Sequence, residues 1–205
     1  MIKQIAYYLD REDEQPNIAL AEELCAEVNA AGIKEIVDGL ANTNKKIAAD
    51  CIKVISEVGE RKPELIAPYV SILIEQLNSK NNRMVWGAMT VLSKIAHLKP
   101  AELFEQRETI FHAYEKGSVI TRDNSITVFA EQAKANKEYE PTMFRAIIEH
   151  LNTCRPKEVG QHAERAFVCV TPENVLEFKE VLINRRDMLS DPQKKRVDKL
   201  LKKCN

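Results

Sequence analysis

The sequence predicts an all-α fold in which about four to five helix pairs stack into an α-α superhelix. The chain has 205 residues with only 6 glycines against 30 Lys+Arg and 31 Asp+Glu, a composition that favours amphipathic helices over sheets joined by tight turns. Apolar residues recur at i, i+3, i+4 and i+7, which is the helical period. The chain also repeats itself with a period of 37 residues, which is typical of a solenoid.

The repeat is clearest between residues 44–63 and 81–100, which read NKKIAADCIKVISEVGERKP and NNRMVWGAMTVLSKIAHLKP. Every apolar position of the first segment is apolar in the second. The segments that precede them align as well, with Ile36, Leu73, Ile110 and Ile147 in one column. Each repeat is therefore predicted to contain two helices, A and then B, whose apolar stripes are buried only when neighbouring pairs stack.

The helix ends are marked by residue type. Asn44, Asn81 and Ser118 precede the B helices, where a side-chain oxygen can accept from exposed backbone N–H groups, and Pro63 and Pro100 are expected to end them. The whole chain is interpreted as one repeat domain. Residues 1–31 form a degenerate N-terminal cap, residues 32–172 the repeats, and residues 173–205 a basic C-terminal cap.

Composition excludes several classes of protein. The net charge of −1 argues against a chain devoted to nucleic acid or anionic lipid. Five widely spaced cysteines without a C-x-x-C pair fit neither a disulfide framework nor a zinc knuckle. No apolar run is long enough to cross a bilayer, so we expect a cytoplasmic protein.

The outward face of the B helices is the candidate binding surface. Trp86 is the only tryptophan, and beside Arg83 it has the composition of a protein-recognition hot spot. Two interpretations stay open, since the indole lies exposed in a groove or rotates into the seam between repeats and packs there. The predicted partner-binding residues are Asp50, Lys53, Arg83, Trp86, Thr90, Asp123 and Asn124.

The sequence predicts no catalytic, cofactor-binding or metal-binding residues. It contains no G-x-S-x-G, no G-x-x-x-x-G-K-[ST] and no G-x-G-x-x-G motif. No H-x-x-x-H or H-E-x-x-H pair places two ligands on one helical face. His150 lies in or next to a column with Asp38 and Glu75, which indicates a solvated face.

The second full repeat, LIAPYVSILIEQLNSKNNRMVWGAMTVLSKIAHL, resembles the HEAT/armadillo type of repeat. Pro68 stands where that family has a proline in helix A, and Arg122 matches its Arg early in helix B, where a bond to a neighbouring repeat is expected. At the same position of the two preceding repeats, this sequence has Ala48 and Val85 instead of the family's Arg. The resemblance implies a non-enzymatic scaffold whose concave B-helix face binds a protein or peptide partner.

A nucleic-acid partner is the alternative. Certain DNA-alkylation-repair glycosylases share such a scaffold, but Thr90 replaces the carboxylate expected one turn after Trp86. A nucleic acid would instead bind through its phosphates to the basic C-terminal end of the chain. Two other interpretations of this end stay open: it forms a solvated cap face, or it pairs with the acidic N-terminal end of another copy. The relevant residues of the basic end are Arg185, Arg186, Lys194, Lys195, Arg196 and Lys199.

Overall fold

The computed structural model describes residues 1–204, and its helices follow the 37-residue repeat. No strand occurs among these residues, and no helix among them is both long and apolar enough to cross a membrane. The helices are α1 Gln15–Glu27, α2 Ala30–Asp38, α3 Lys45–Arg61, α4 Val70–Gln76, α5 Asn82–Ile95, α6 Pro100–Glu105, α7 Arg107–Lys116, α8 Val119–Ala135, α9 Glu140–Thr153, α10 Pro156–Ala166, α11 Val175–Arg186 and α12 Asp191–Lys203.

The chain divides into two compact units, Met1–Ser125 and Ile126–Asn205. In the first unit α3 packs against α1 on one side and α5 on the other, while the A helices α2 and α4 each pack on their own B helix. The stripe of α3 that includes Cys51, Val54 and Ile55 is almost inaccessible to solvent. Helix α3 is therefore the centre of this unit's core.

The second unit is built in the same way. Helix α9 packs on α11, and α10 packs on α12, so that A meets A and B meets B in successive pairs. Its core includes Phe129, Val159 and Phe178, each fully or almost fully buried.

The predicted starts of the B helices are confirmed. Asn44 Oδ1 accepts from the Lys46 N–H and Asn81 Oδ1 from the Arg83 N–H, at 3.0 and 3.1 Å. Ser118 Oγ accepts from the Thr121 N–H at 3.3 Å. Helix α3 ends just before Pro63, because proline offers no N–H to continue the ladder.

Two sequence-based expectations require correction. Arg122 donates to the carbonyl oxygens of Tyr114 and Glu115 at the end of α7, so it binds the A helix of its own repeat rather than a neighbouring repeat. His150 is only 6% exposed. His150 lies 37 residues after the buried Ala113, so it belongs to a buried column next to the solvated column of Asp38 and Glu75.

Two glycines on neighbouring B helices give the first prediction. A Cβ at Gly87 would lie 2.7 Å from Ile52 Cγ1, whereas a Cβ at Gly59 would meet nothing closer than 3.6 Å. Gly87→Ala should lower the free energy of unfolding by about 1–2 kcal/mol, because buried, β-branched Ile52 has little room to move. Gly59→Ala should raise it by about 0.5–1 kcal/mol through helix propensity.

Urea unfolding of the two variants beside the unchanged protein measures both effects. If both variants changed the free energy of unfolding equally and in the same direction, the close approach of α5 to Ile52 would be contradicted.

Candidate binding surface

A groove of about 320 Å³ lies on the outward face of the B helices of the first unit. We call it the Trp86 groove. It is lined by Glu14, Ile52, Lys53, Ser56, Arg83, Trp86, Gly87, Thr90, Ile120 and Asn124.

Trp86 is half-buried and forms part of the groove wall. The Arg83 guanidinium carbon lies 5.7 Å from the centroid of the indole ring, which is within cation–π range. Ile120, 46% exposed, adds an apolar side chain to the same lining. The groove thus combines an aromatic ring, an exposed aliphatic side chain and a guanidinium, a composition enriched in protein-recognition sites.

Glu14 connects the two cations of the groove. One carboxylate oxygen accepts from Arg83 Nη2 at 3.1 Å, and the other lies 3.0 Å from Lys53 Nζ. Lys53 also pairs with Glu57 at 2.9 Å. Burial alone would lower the pKa of Lys53, but its bonds to Glu57 and Glu14 outweigh burial and raise that pKa above its ordinary value. Lys53 therefore stays charged at neutral pH.

Asp50 lies in a neighbouring groove of about 380 Å³, which shares Glu14 and Arg83 with the Trp86 groove. Its carboxylate accepts from the Tyr7 N–H at 2.8 Å and from Asn17 Nδ2 at 3.0 Å. Asn17 is fully buried, and its Oδ1 accepts from the Ala6 N–H at 2.9 Å. Asp50 thus holds the N-terminal turns against α3, close to where Glu14 enters the groove.

Asn124 joins α8 to α5 beneath the groove. Its Nδ2 donates to Thr90 Oγ1 and to the Ile120 carbonyl, both at 3.0 Å, and its Oδ1 lies 3.3 Å from Ser93 Oγ. Thr90 Oγ1 in turn donates to the Trp86 carbonyl at 2.8 Å. Asn124 is 9% exposed, so its amide mainly positions the groove floor.

The structure brings five of the seven predicted residues into one groove: Lys53, Arg83, Trp86, Thr90 and Asn124. Asp50 lines the neighbouring groove, and half-buried Asp123 is not part of the lining of the Trp86 groove. Sequence reasoning missed Glu14, which lies 69 residues before Arg83. The only signal in the sequence is the acidic segment DREDE at residues 10–14, and it does not indicate which basic residues Glu14 pairs with.

Much of the basic C-terminal cluster forms bonds inside the second unit. Arg185 is 7% exposed and donates to the carbonyl oxygens of Leu151, Asn152 and Cys154 at the end of α9. Arg186 makes a two-pronged pair with Asp198 at 2.8 and 3.0 Å, and Arg196 pairs with Glu164. Of the six predicted residues, Lys195 and Lys199 are exposed and Lys194 is half-buried.

Burial keeps several thiols protonated. It raises the pKa of Cys51 and of Cys169 to about 12, and that of Cys154 to about 11 although Arg185 beside it acts in the opposite direction. None of these three cysteines offers a free thiolate at neutral pH, which a cysteine nucleophile would need.

Comparison with solved structures identifies the fold. A designed armadillo repeat protein superposes with a TM-score of 0.70 at 13% identity over 100% of both chains. Computationally designed armadillo repeat proteins for modular peptide recognition match with a TM-score of 0.68 at 13% identity, over 89% of each chain. Kap121p, solved bound to Pho4p, matches with a TM-score of 0.65 at 13% identity, over 97% of this chain and 22% of its own.

The chain therefore has an armadillo/HEAT-like α-solenoid fold, as the sequence predicts. A scan against protein families finds no match, and no curated protein matches the sequence. Nothing in these comparisons supports a nucleic-acid partner.

The buried amide of Asn124 gives the second prediction. Asn124→Ala removes the bonds to Thr90 and Ile120 and should lower the free energy of unfolding by about 1–3 kcal/mol. Asn82→Ala, at an exposed position in the first turn of α5, is the matched control and should change it by less than about 0.5 kcal/mol. If urea unfolding showed the same loss of unfolding free energy in both variants, the Asn124 link between α5 and α8 would contribute nothing to stability.

Proposed function

We propose that the protein is a non-enzymatic scaffold that binds a protein or peptide segment through the Trp86 groove. The observation that carries this proposal is the half-buried indole of Trp86, which lines one groove together with Arg83 and Lys53. Aromatic side chains and Arg at the centre of an interface account for most of its binding energy.

The chemistry of the groove specifies the segment. Glu14 is 47% exposed and presents one carboxylate to both Lys53 and Arg83, so a partner carboxylate can take its place. Trp86 and Ile120 suit an apolar side chain. The expected ligand is an acidic residue close to an apolar one, in an extended or helical segment.

The comparisons support this use without identifying a partner. Designed armadillo repeat proteins of similar fold were made for peptide recognition, and Kap121p was solved with a bound protein. Such scaffolds share a backbone fold and differ in the side chains of their grooves, and a fold by itself specifies no ligand. The proposal therefore depends on the side chains of this groove.

Removal of the indole gives the third prediction. Random peptides are selected on the immobilised full-length protein, and the affinity of an enriched acidic–apolar peptide is measured by fluorescence anisotropy. Trp86→Ala should weaken binding by about 30-fold, since a central aromatic residue contributes about 2 kcal/mol or more. Trp86→Phe, which retains a ring, should weaken it less.

Leu176→Ala is the control, because Leu176 is apolar, 75% exposed and outside the groove. Peptides that bind the unchanged protein and Trp86→Ala equally would refute the groove as the binding site.

Glu14 gives the fourth prediction. Glu14→Gln should tighten binding of the same peptide by up to about fivefold, because the internal carboxylate that competes for Lys53 and Arg83 loses its charge. Glu12→Gln makes the same change in net charge at an exposed neighbouring position and should leave the affinity almost unchanged. If both variants tighten binding equally, the effect is one of overall charge and Glu14 does not occupy the partner's position.

A further inference from the structure

Three side chains with metal-ligating atoms meet in the second unit. His150 lies in the last turn of α9, Cys154 follows the end of that helix, and His162 lies in α10. One ring nitrogen of each histidine and Cys154 Sγ all lie within 4.8 Å of one another. In sequence the three residues form the pattern H-x₃-C-x₇-H.

Bonds at both helix ends hold these side chains in place. Arg185 Nη1 and Nη2 bind the carbonyl oxygens of Leu151 and Cys154 at 2.9 and 2.6 Å, which fixes the C-terminal end of α9. Glu158 accepts from the backbone N–H and the side chain of Arg155, which fixes the start of α10. The cluster therefore lies on a turn whose two helices are each anchored, as a preorganised site requires.

Burial restricts the cluster further. His162 is 1% exposed and His150 is 6% exposed, whereas Cys154 is half-buried. The two imidazoles are thus desolvated side by side, and Cys154 is the least buried member of the cluster.

The distances suit a small tetrahedral ion. His150 Nε2 and His162 Nδ1 are 2.7 Å apart, which is a hydrogen bond. Around Zn²⁺, bond lengths of about 2.0–2.1 Å to nitrogen and 2.3 Å to sulfur place two nitrogens about 3.4 Å apart and nitrogen about 3.6 Å from sulfur. To bind the ion, the histidines would separate by about 0.7 Å and the thiol would move inward.

We propose that His150, Cys154 and His162 form a Zn²⁺-binding site. The ion forms one bond to each side chain. The hydrogen shared by the two imidazoles moves to the other nitrogen of its own ring through exchange with water, and the thiol proton passes to solvent, so one proton is released per ion. Three protein ligands leave a fourth position for water or for an oxygen, nitrogen or sulfur ligand of a partner.

Cobalt(II) is the probe for this site, because it takes zinc's place in tetrahedral sites and absorbs light. The reduced full-length protein, stripped with a chelator, is titrated with Co²⁺. We expect saturation at one ion per chain, with a sulfur-to-cobalt charge-transfer band and intense d–d bands, and loss of both when Zn²⁺ is added. Cys154→Ser should abolish the charge-transfer band, and His162→Gln should weaken affinity by at least about tenfold.

Cys204→Ser and His112→Gln are the matched controls, since they change the same residue types outside the cluster and should retain the full signal. The melting temperature is a second measurement that does not depend on the His162 variant folding. Zn²⁺ should raise it in the unchanged protein and in both controls but not in Cys154→Ser. Absence of a charge-transfer band in the unchanged protein, or a band that survives Cys154→Ser, would overturn the proposal.

Discussion

Burial of the apolar stripe of each B helix is the constraint on which the rest of the structure depends. A helix pair of this size cannot cover its own stripe, so α3 must pack between α1 and α5. The side of α3 that includes Val54 and Ile55 is consequently enclosed, and Lys53 on the other side of the same helix faces the groove. The core thereby decides which residues are available to a partner.

Close packing also determines the shape of the groove. Gly87 lets α5 approach Ile52, and any side chain there would push the two helices apart. Asn124 then ties α8 to α5 through Thr90, whose hydroxyl is bonded to the carbonyl of Trp86. The indole thus rests on a backbone fixed by tight packing on one side and by polar bonds on the other. Such a rigid base lowers the entropic cost of binding.

Periodicity predicts contacts that recur, and it cannot predict contacts made once. The helix caps at Asn44 and Asn81 and most of the groove follow from a spacing that repeats along the chain. Glu14 reaches the groove from the N-terminal segment, residues 1–31, which does not follow the repeat pattern. His150 lies next to the solvated column but on its buried side, and its contact with His162 crosses between two helices, which a spacing within one helix does not predict.

The position of Glu14 bears on how tightly any partner can bind. Its carboxylate already neutralises Lys53 and Arg83, so an arriving acidic residue exchanges one ion pair for another and gains little from charge alone. For the proposed ligand, the net gain must come from apolar contact with Trp86 and Ile120. Charge would therefore serve the specificity of this proposed ligand more than its affinity, because a segment without a carboxylate would leave Glu14 in place and meet a groove that is partly filled.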